Sequence, residues 1–332
     1  MAPPRLAALP ALLLAVCLGR RAAACENACV RDAAFLEERD VHRLCLITPG
    51  NEAVPELRRQ IEAWFAESAT ALNVEFCQER ADDPGVDWPR YGLPSAPPAS
   101  PVAVLAGQHT AERLCFFVDH WSPAPGRAEL DSVLDSPART ELRRRVARDL
   151  AVLLYFPAQD GDSADAQGTL ERAAAQRSAP GSPAVTVLRV DRADPRERLL
   201  VSFAGLKPED PGWVAVVFGR GKMMPPLVGG EISEAVLDEQ LRSLLEPCTC
   251  LRSPGSLGVD MPLAWTDADQ RAVALVRGPT DADALQARSG EKPARAAGSG
   301  VLVPTLLTLA ALAGVQGLAA LLIWWRRSAA PR

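Results

Sequence analysis

The chain has 332 residues, 36 of them Lys or Arg and 41 Asp or Glu, for a net charge of −5. That length supports two domains of ordinary size, and the acidic balance gives a nucleic-acid partner no electrostatic support. Ala, Pro and Arg are abundant while Lys and Tyr are scarce, a composition associated with high-GC bacterial genomes.

Arg5, the apolar run Leu6 to Leu18 and the small residues Ala22, Ala23 and Ala24 have the order of a secretory signal, which places the start of the mature chain near Cys25. Acylation of Cys25 is the alternative to ordinary cleavage, although Ala22 stands where a lipoprotein signal has Leu. A second membrane anchor in this region is too short to span. Eight cysteines, seven after signal removal, leave at least one thiol unpaired or acylated in an oxidising compartment.

Cys29 to Asp40 reads as a short helix with a charged outer face, and Arg43 to Ile47 as a buried strand closed by the turn residues Thr48, Pro49 and Gly50. Glu52 to Ser68 has helical spacing of Val54, Leu57, Ile61, Trp64 and Phe65, with Pro55 in the first turn. Leu72 to Gln78 alternates as a second strand. After a Pro-rich loop, Val102 to Ala106 and Arg113 to Val118 form a strand pair about a turn at Gly107, Gln108 and His109. Helices follow from Arg127 and from the Ser136, Pro137 pair, where Ser caps and Pro takes the first helical position.

The same order then recurs. Asp149 to Phe156 is a strand, Ser163 to Arg177 a helix, and Pro183 to Val190 a strand with Leu199 to Phe203 as a short extension. Trp213 to Phe218 and Met223 to Val228 make a hairpin about Gly219, Arg220 and Gly221, and Ser233 to Leu245 is the closing helix. Leu251 to Trp265 lacks the periodicity of an element. Asp267 to Val276 reads as a short helix, and Arg277 to Gly300 as a flexible stalk. Val301 to Trp325 is a run of 25 uncharged residues ending in Trp324 and Trp325, followed by Arg326 and Arg327. It is long enough to span a bilayer, and the cationic tail places the preceding residues outside.

In each half a strand, helix and strand are followed by a hairpin and a helix, which bury their apolar strands as a sheet covered by helices. WVAVVFGRGKMMPPLVGGEISEAVLDEQLRSLL, at residues 213–245, resembles the closing strand pair and helix of the thioredoxin fold. Pro211 and Pro101 stand near where thioredoxins keep a cis proline. The chain is also similar to a set of uncharacterised bacterial membrane-associated proteins. The resemblance implies an α/β fold: two tandem thioredoxin-like three-layer domains plus one C-terminal transmembrane helix. The expected organisation is a signal peptide at 1–24, domains at 25–148 and 149–250, a juxtamembrane segment and stalk at 251–300, the membrane helix at 301–325 and a cytoplasmic tail at 326–332.

Thioredoxins place Cys-x-x-Cys after the first strand, where the helix dipole lowers the attacking thiol's pKa. The matching stretches here, TPGNEAVPEL and FPAQDGDSAD, contain no cysteine. The resemblance therefore implies a binding or scaffold protein facing the periplasm or exterior, with an envelope or membrane protein as partner, no catalytic residue and no cofactor.

The alternative is a thiol-disulfide protein using Cys25 and Cys29, four apart, or Cys248 and Cys250, two apart. Three readings of these four cysteines stand: disulfides fastening the domain ends, a redox pair, and a zinc site whose spacings are not the usual ones. Cys45, Cys77 and Cys115 read as small buried hydrophobes. Arg220 and Lys222 offer an anion contact, against a reading in which the glycines serve only the turn. His42, His109 and His120 have no metal-ligand spacing, and no H-E-x-x-H, G-x-S-x-G or Walker motif occurs.

Overall fold

Two mixed sheets follow one another along the chain. The computed structural model describes residues 29–49, 54–68, 71–81, 100–159, 163–178, 183–248 and 254–277. The expected signal, the stalk beyond Arg277 and the run from Val301 to Trp325 lie outside them. Among the described residues no helix is long and apolar enough to cross a membrane.

After the short helix α1 (Val30–Ala33), the first sheet is built from β1 (His42–Thr48), β2 (Val74–Arg80), β3 (Val102–His109) and β4 (Leu114–Trp121), in the order β2-β1-β3-β4. β1 and β2 are parallel and joined by α2 (Pro55–Ser68); β3 is antiparallel to both β1 and β4. Leu44, Leu46 and Leu105 are buried in this sheet, and the buried faces of Ile61 and Trp64 on α2 follow its apolar spacing. Phe65 of α2 meets Phe76 of β2, with ring centres 6.0 Å apart. The Trp64 indole donates to Asp131 at 3.0 Å, tying α2 to α3 (Arg127–Leu134).

α4 (Pro137–Val146) starts as its sequence predicts, with Pro137 in the first turn and Ser136 as the cap. Buried Glu197 then accepts from the Ser136 hydroxyl and the Ala138 N–H, placing an anion at the helix's positive end.

The second sheet repeats the layout. β5 (Ala151–Phe156) and β6 (Val185–Arg189) are parallel and joined by α5 (Ser163–Arg177); β7 (Trp213–Phe218) is antiparallel to β5, and α7 (Glu234–Ser243) closes the repeat. β8 (Lys222–Met223) and β9 (Leu227–Val228) pair with different ends of β7, so the single strand expected over Met223 to Val228 is broken at Met224, Pro225 and Pro226. β5 and β7 are buried along their whole length, as continuous apolar runs require.

Leu199 to Phe203 is not a strand. It belongs to helix α6 (Arg198–Phe203), entered through a 3₁₀ turn at Pro195–Glu197 whose first N–H groups Asp194 caps. The Asp-Pro pair is a helix-start signal that the apolar run RLLVSF outweighed. Neither Pro211 nor Pro101 follows a cis bond; among the described residues the cis peptide is Ser122–Pro123.

The segment after the second sheet packs back onto it. Leu251 to Trp265, read as lacking an element, contains α8 (Pro254–Leu257) and β10 (Val259–Asp260), which adds an edge strand to β8. Met261, Leu263 and Trp265 are buried, and α9 (Asp267–Arg277) follows.

This strap also binds the first half. Leu263 N–H donates to Asn73 at 3.0 Å, Trp265 N–H to the Ala71 carbonyl at 2.9 Å, and Arg39 donates to the Met261 and Leu263 carbonyls. In return, Val30 and Ala34 from the N-terminal segment sit in the core of the second sheet. Gly219, at φ +58°, lies so close to Ala34 that a side chain there would meet its Cβ at 2.5 Å. The two halves therefore exchange their flanking segments, and the described residues fall in one compact unit.

At the centre of this exchange Asp260 accepts from Lys222 Nζ at 3.0 Å and from the Asp40 N–H at 3.0 Å, and its own N–H donates to the Asp40 carboxylate at 2.9 Å. His42 Nδ1 accepts from the Gln108 N–H, so the proton lies on Nε2, which donates to the Asp260 carbonyl at 2.7 Å. Lys222 and Asp260 are 3% and 2% exposed, which makes the pair costly to break. Asp260→Ala leaves the ammonium buried and uncompensated, and we expect a loss of about 3–5 kcal/mol in urea unfolding; a loss under about 1 kcal/mol would show that the clasp carries little.

Burial pushes the His42 pKa from 6.5 down to about 4. Between those values the unfolded chain binds the extra proton, so this contribution is full above pH 6.5 and is lost as pH falls towards 4. Urea midpoints of the wild type should fall more steeply between pH 7 and pH 4.5 than those of His42→Gln; parallel profiles would refute the assignment.

Candidate functional site

In a thioredoxin-like unit the end of the first strand, the start of the following helix and the loop before the third strand converge. In the second half these are the end of β5, the first turns of α5 and the Pro211-Gly212 loop. They enclose a cleft of about 450 Å³ together with the turn after β9. Tyr155, Ala166, Pro211, Gly212, Gly229 and Ile232 line it, with Asp165 the charged residue on its rim.

The cleft is shaped by backbone. Gly212 accepts from the Gly229 N–H at 2.7 Å, fastening the two loops, and Arg192 donates to the carbonyls of Phe156, Asp210 and Pro211, holding the loop before β7 against the end of β5. A substituent on Gly230 would meet nothing within 4 Å. The lining is small, mostly apolar and without sulfur, so the cleft can receive a segment of chain but offers no thiol for exchange.

The cysteines lie elsewhere. Cys45 and Cys77, read from sequence as small buried hydrophobes, are joined by a disulfide across directly paired residues of β1 and β2, with Cα atoms 4.5 Å apart. The sequence held them 32 positions apart on strands of unstated register. Only the parallel pairing that α2 permits puts them opposite each other. Cys45 is fully buried and Cys77 half-buried, and Cys115 is a half-buried free thiol on β4.

Of the four cysteines singled out in sequence, Cys25 and Cys250 lie outside the described residues. Cys29 pairs through its backbone with Pro247, the residue before Cys248, and both cysteines are free thiols. Cys29 caps a helix of only four residues, and burial, with the Asp32 charge beside it, pushes its thiol pKa above 9.0. A thiol so placed is a poor nucleophile.

Arg220 and Lys222 contact anionic and carbonyl groups of the chain itself. Lys222 holds Asp260 and, at 3.6 Å, Glu37, and Arg220 donates to the Glu37 carbonyl. Burial of Glu37 pushes its own pKa up. His109 Nε2 donates to the Gly255 carbonyl at 3.1 Å, and the His120 ring lies against that of Phe117.

No protein-family model matches the chain, and no curated protein matches it. Among solved structures it is similar to the first two thioredoxin domains of Saccharomyces cerevisiae Eps1p, at 12% identity over 61% of this chain and 92% of that one, with a TM-score of 0.22. It is similar also to a zinc-bound form of human ERp44, at 12% identity over 68% of this chain, with a TM-score of 0.22. The chain spans 63% of that second structure's length. Thioredoxin-like connectivity is read from the two sheets themselves, each ordered second, first, third, fourth strand with the third antiparallel to its neighbours.

Closing a loop of this length by a disulfide lowers unfolded-state entropy by about 3–4 kcal/mol at 25 °C. The Cys45→Ala/Cys77→Ala double variant should lose stability of that order in denaturant unfolding; an unchanged midpoint would mean the bridge is only incidental. Cys29 should alkylate with iodoacetamide more slowly at pH 8 in the folded than in the unfolded chain, and a faster folded-state rate would restore it as a nucleophile.

Proposed function

We propose that this chain is a membrane-anchored, extracytoplasmic binding protein whose second thioredoxin-like half receives an extended segment of a partner protein. The observation that carries this reading is the cleft between β5, α5 and the Pro211-Gly212 loop, open and about 450 Å³ in volume, where the chain has no cysteine in its lining. A site of that shape retains the recognition part of a thioredoxin-like unit and lacks its chemistry.

Anchoring is supported by the uncharged run from Val301 to Trp325, and export by the signal-like start and the Arg-rich tail. The partner is another envelope or membrane protein, since the domains are held close to the membrane. An envelope thiol-disulfide role is the second reading, favoured by the backbone pairing of Cys29 with Pro247, which brings the segments carrying the free thiols Cys29 and Cys248 together. The raised Cys29 pKa counts against it.

Gly230 is exposed beside the cleft with room for a side chain. Gly230→Trp should therefore fill it without unfolding the protein, and native-membrane co-purification should lose the partners that the wild type retains. Equal recovery by a folded Gly230→Trp variant excludes the cleft as the binding site. Recovery that depends instead on Cys29 or Cys248 supports the thiol reading.

A further inference from the structure

On β2, alternation puts Phe76 on the face that meets α2 and Cys77 and Glu79 together on the other face. Cys45 reaches the same face from β1. The two sulfurs and a Glu79 carboxylate oxygen lie within 4.8 Å of one another. Cys45 is fully buried, while Cys77 and Glu79 are half-buried and lie on an edge strand of the sheet.

A disulfide staple needs no carboxylate beside it. Two positions before the bridge, Glu75 is held by Arg43 at 2.8 Å, whereas Glu79 makes no hydrogen bond or ion pair with another described residue. Two thiolates and one carboxylate converging from paired strands are the donor set that a zinc-class cation takes, with a fourth position left to water. The same carboxylate works against exchange chemistry, because an anion beside a sulfur disfavours the thiolate needed to leave or attack. A cation bound between the sulfurs and the carboxylate reverses that penalty.

We propose that Cys45, Cys77 and Glu79 form a latent site for a zinc-class divalent cation, closed while the two sulfurs are bonded and opened when a dithiol reduces them. In the opening step the reductant's two thiols become its own disulfide, and two electrons and two protons pass to Cys45 and Cys77. Metal binding then displaces both thiol protons to solvent, and Glu79 supplies the third ligand. This site lies in the first half and is independent of the cleft in the second.

The test uses the full chain with Cys25, Cys29, Cys115, Cys248 and Cys250 replaced by Ser, reduced with a phosphine that is then removed under argon. Cobalt(II) is titrated, and thiolate-to-cobalt charge-transfer absorption is read while far-ultraviolet circular dichroism monitors the fold. One equivalent should bind to the reduced protein and none to the disulfide form. Cys77→Ser should abolish the signal, zinc should displace the cobalt, and Glu79→Gln should weaken binding about tenfold to hundredfold, the range seen when even an outer-shell partner is removed. No charge-transfer band in a folded reduced protein, an affinity unaltered by Glu79→Gln, or unfolding on reduction that cobalt does not reverse would each overturn the proposal.

Discussion

Lys222 and Asp260 face each other out of reach of water, with Asp40 and His42 packed around them. An ammonium and a carboxylate removed from solvent cost several kcal/mol each, and their attraction offsets this only if the remaining donors and acceptors are also satisfied. The carboxylates meet this condition: Asp260 accepts from Lys222 and from the Asp40 N–H, Asp40 accepts from Asp260 and from Thr110 at 2.7 Å, and His42 bridges Gln108 to the Asp260 carbonyl. Each partner comes from a different part of the chain: the N-terminal segment, β1, β8 and β10. The network is complete only when both halves and both flanking segments are in place.

From that constraint the rest of the architecture follows. The N-terminal segment lodges in the second core before the chain enters the first sheet, and the C-terminal strap leaves the second sheet to hydrogen-bond Asn73, Ala71 and Arg39 of the first. Arg139 extends the same logic, donating to the Val133, Ser132 and Pro262 carbonyls, and burial lowers its pKa to about 10. Two units that sequence reads as beads on a string are thus interlocked. The cleft beside Pro211 and Gly212 is borne by the half whose sheet is completed by the strap.

The disulfide and the cleft lie in different halves of the chain. The bridged pair lies within the sheet of the first half, away from any helix start, and the cleft of the second half is lined by backbone and small side chains. A thiolate gains nothing from a helix dipole in the middle of a strand.

Much of the fold was legible in the sequence, because apolar period and caps act locally. The helix over Ser163 to Arg177 and the strand over Trp213 to Phe218 coincide with their expected bounds, and the Ser136 cap behaves as its chemistry dictates. The glycine turn about Arg220 is likewise present, though the lysine after it has a use no local rule suggests. Strand register, however, is a property of pairs of segments: the disulfide of Cys45 and Cys77 depends on β1 and β2 lying in parallel register. The strap at Val259 to Trp265 carries no period because its residues are held one by one by partners scattered along the chain, from β8 to Arg139 to Asn73. Burial of that kind leaves no repeating mark on the chain, so only the assembled tertiary structure decided where the acidic, cationic and sulfur groups would meet.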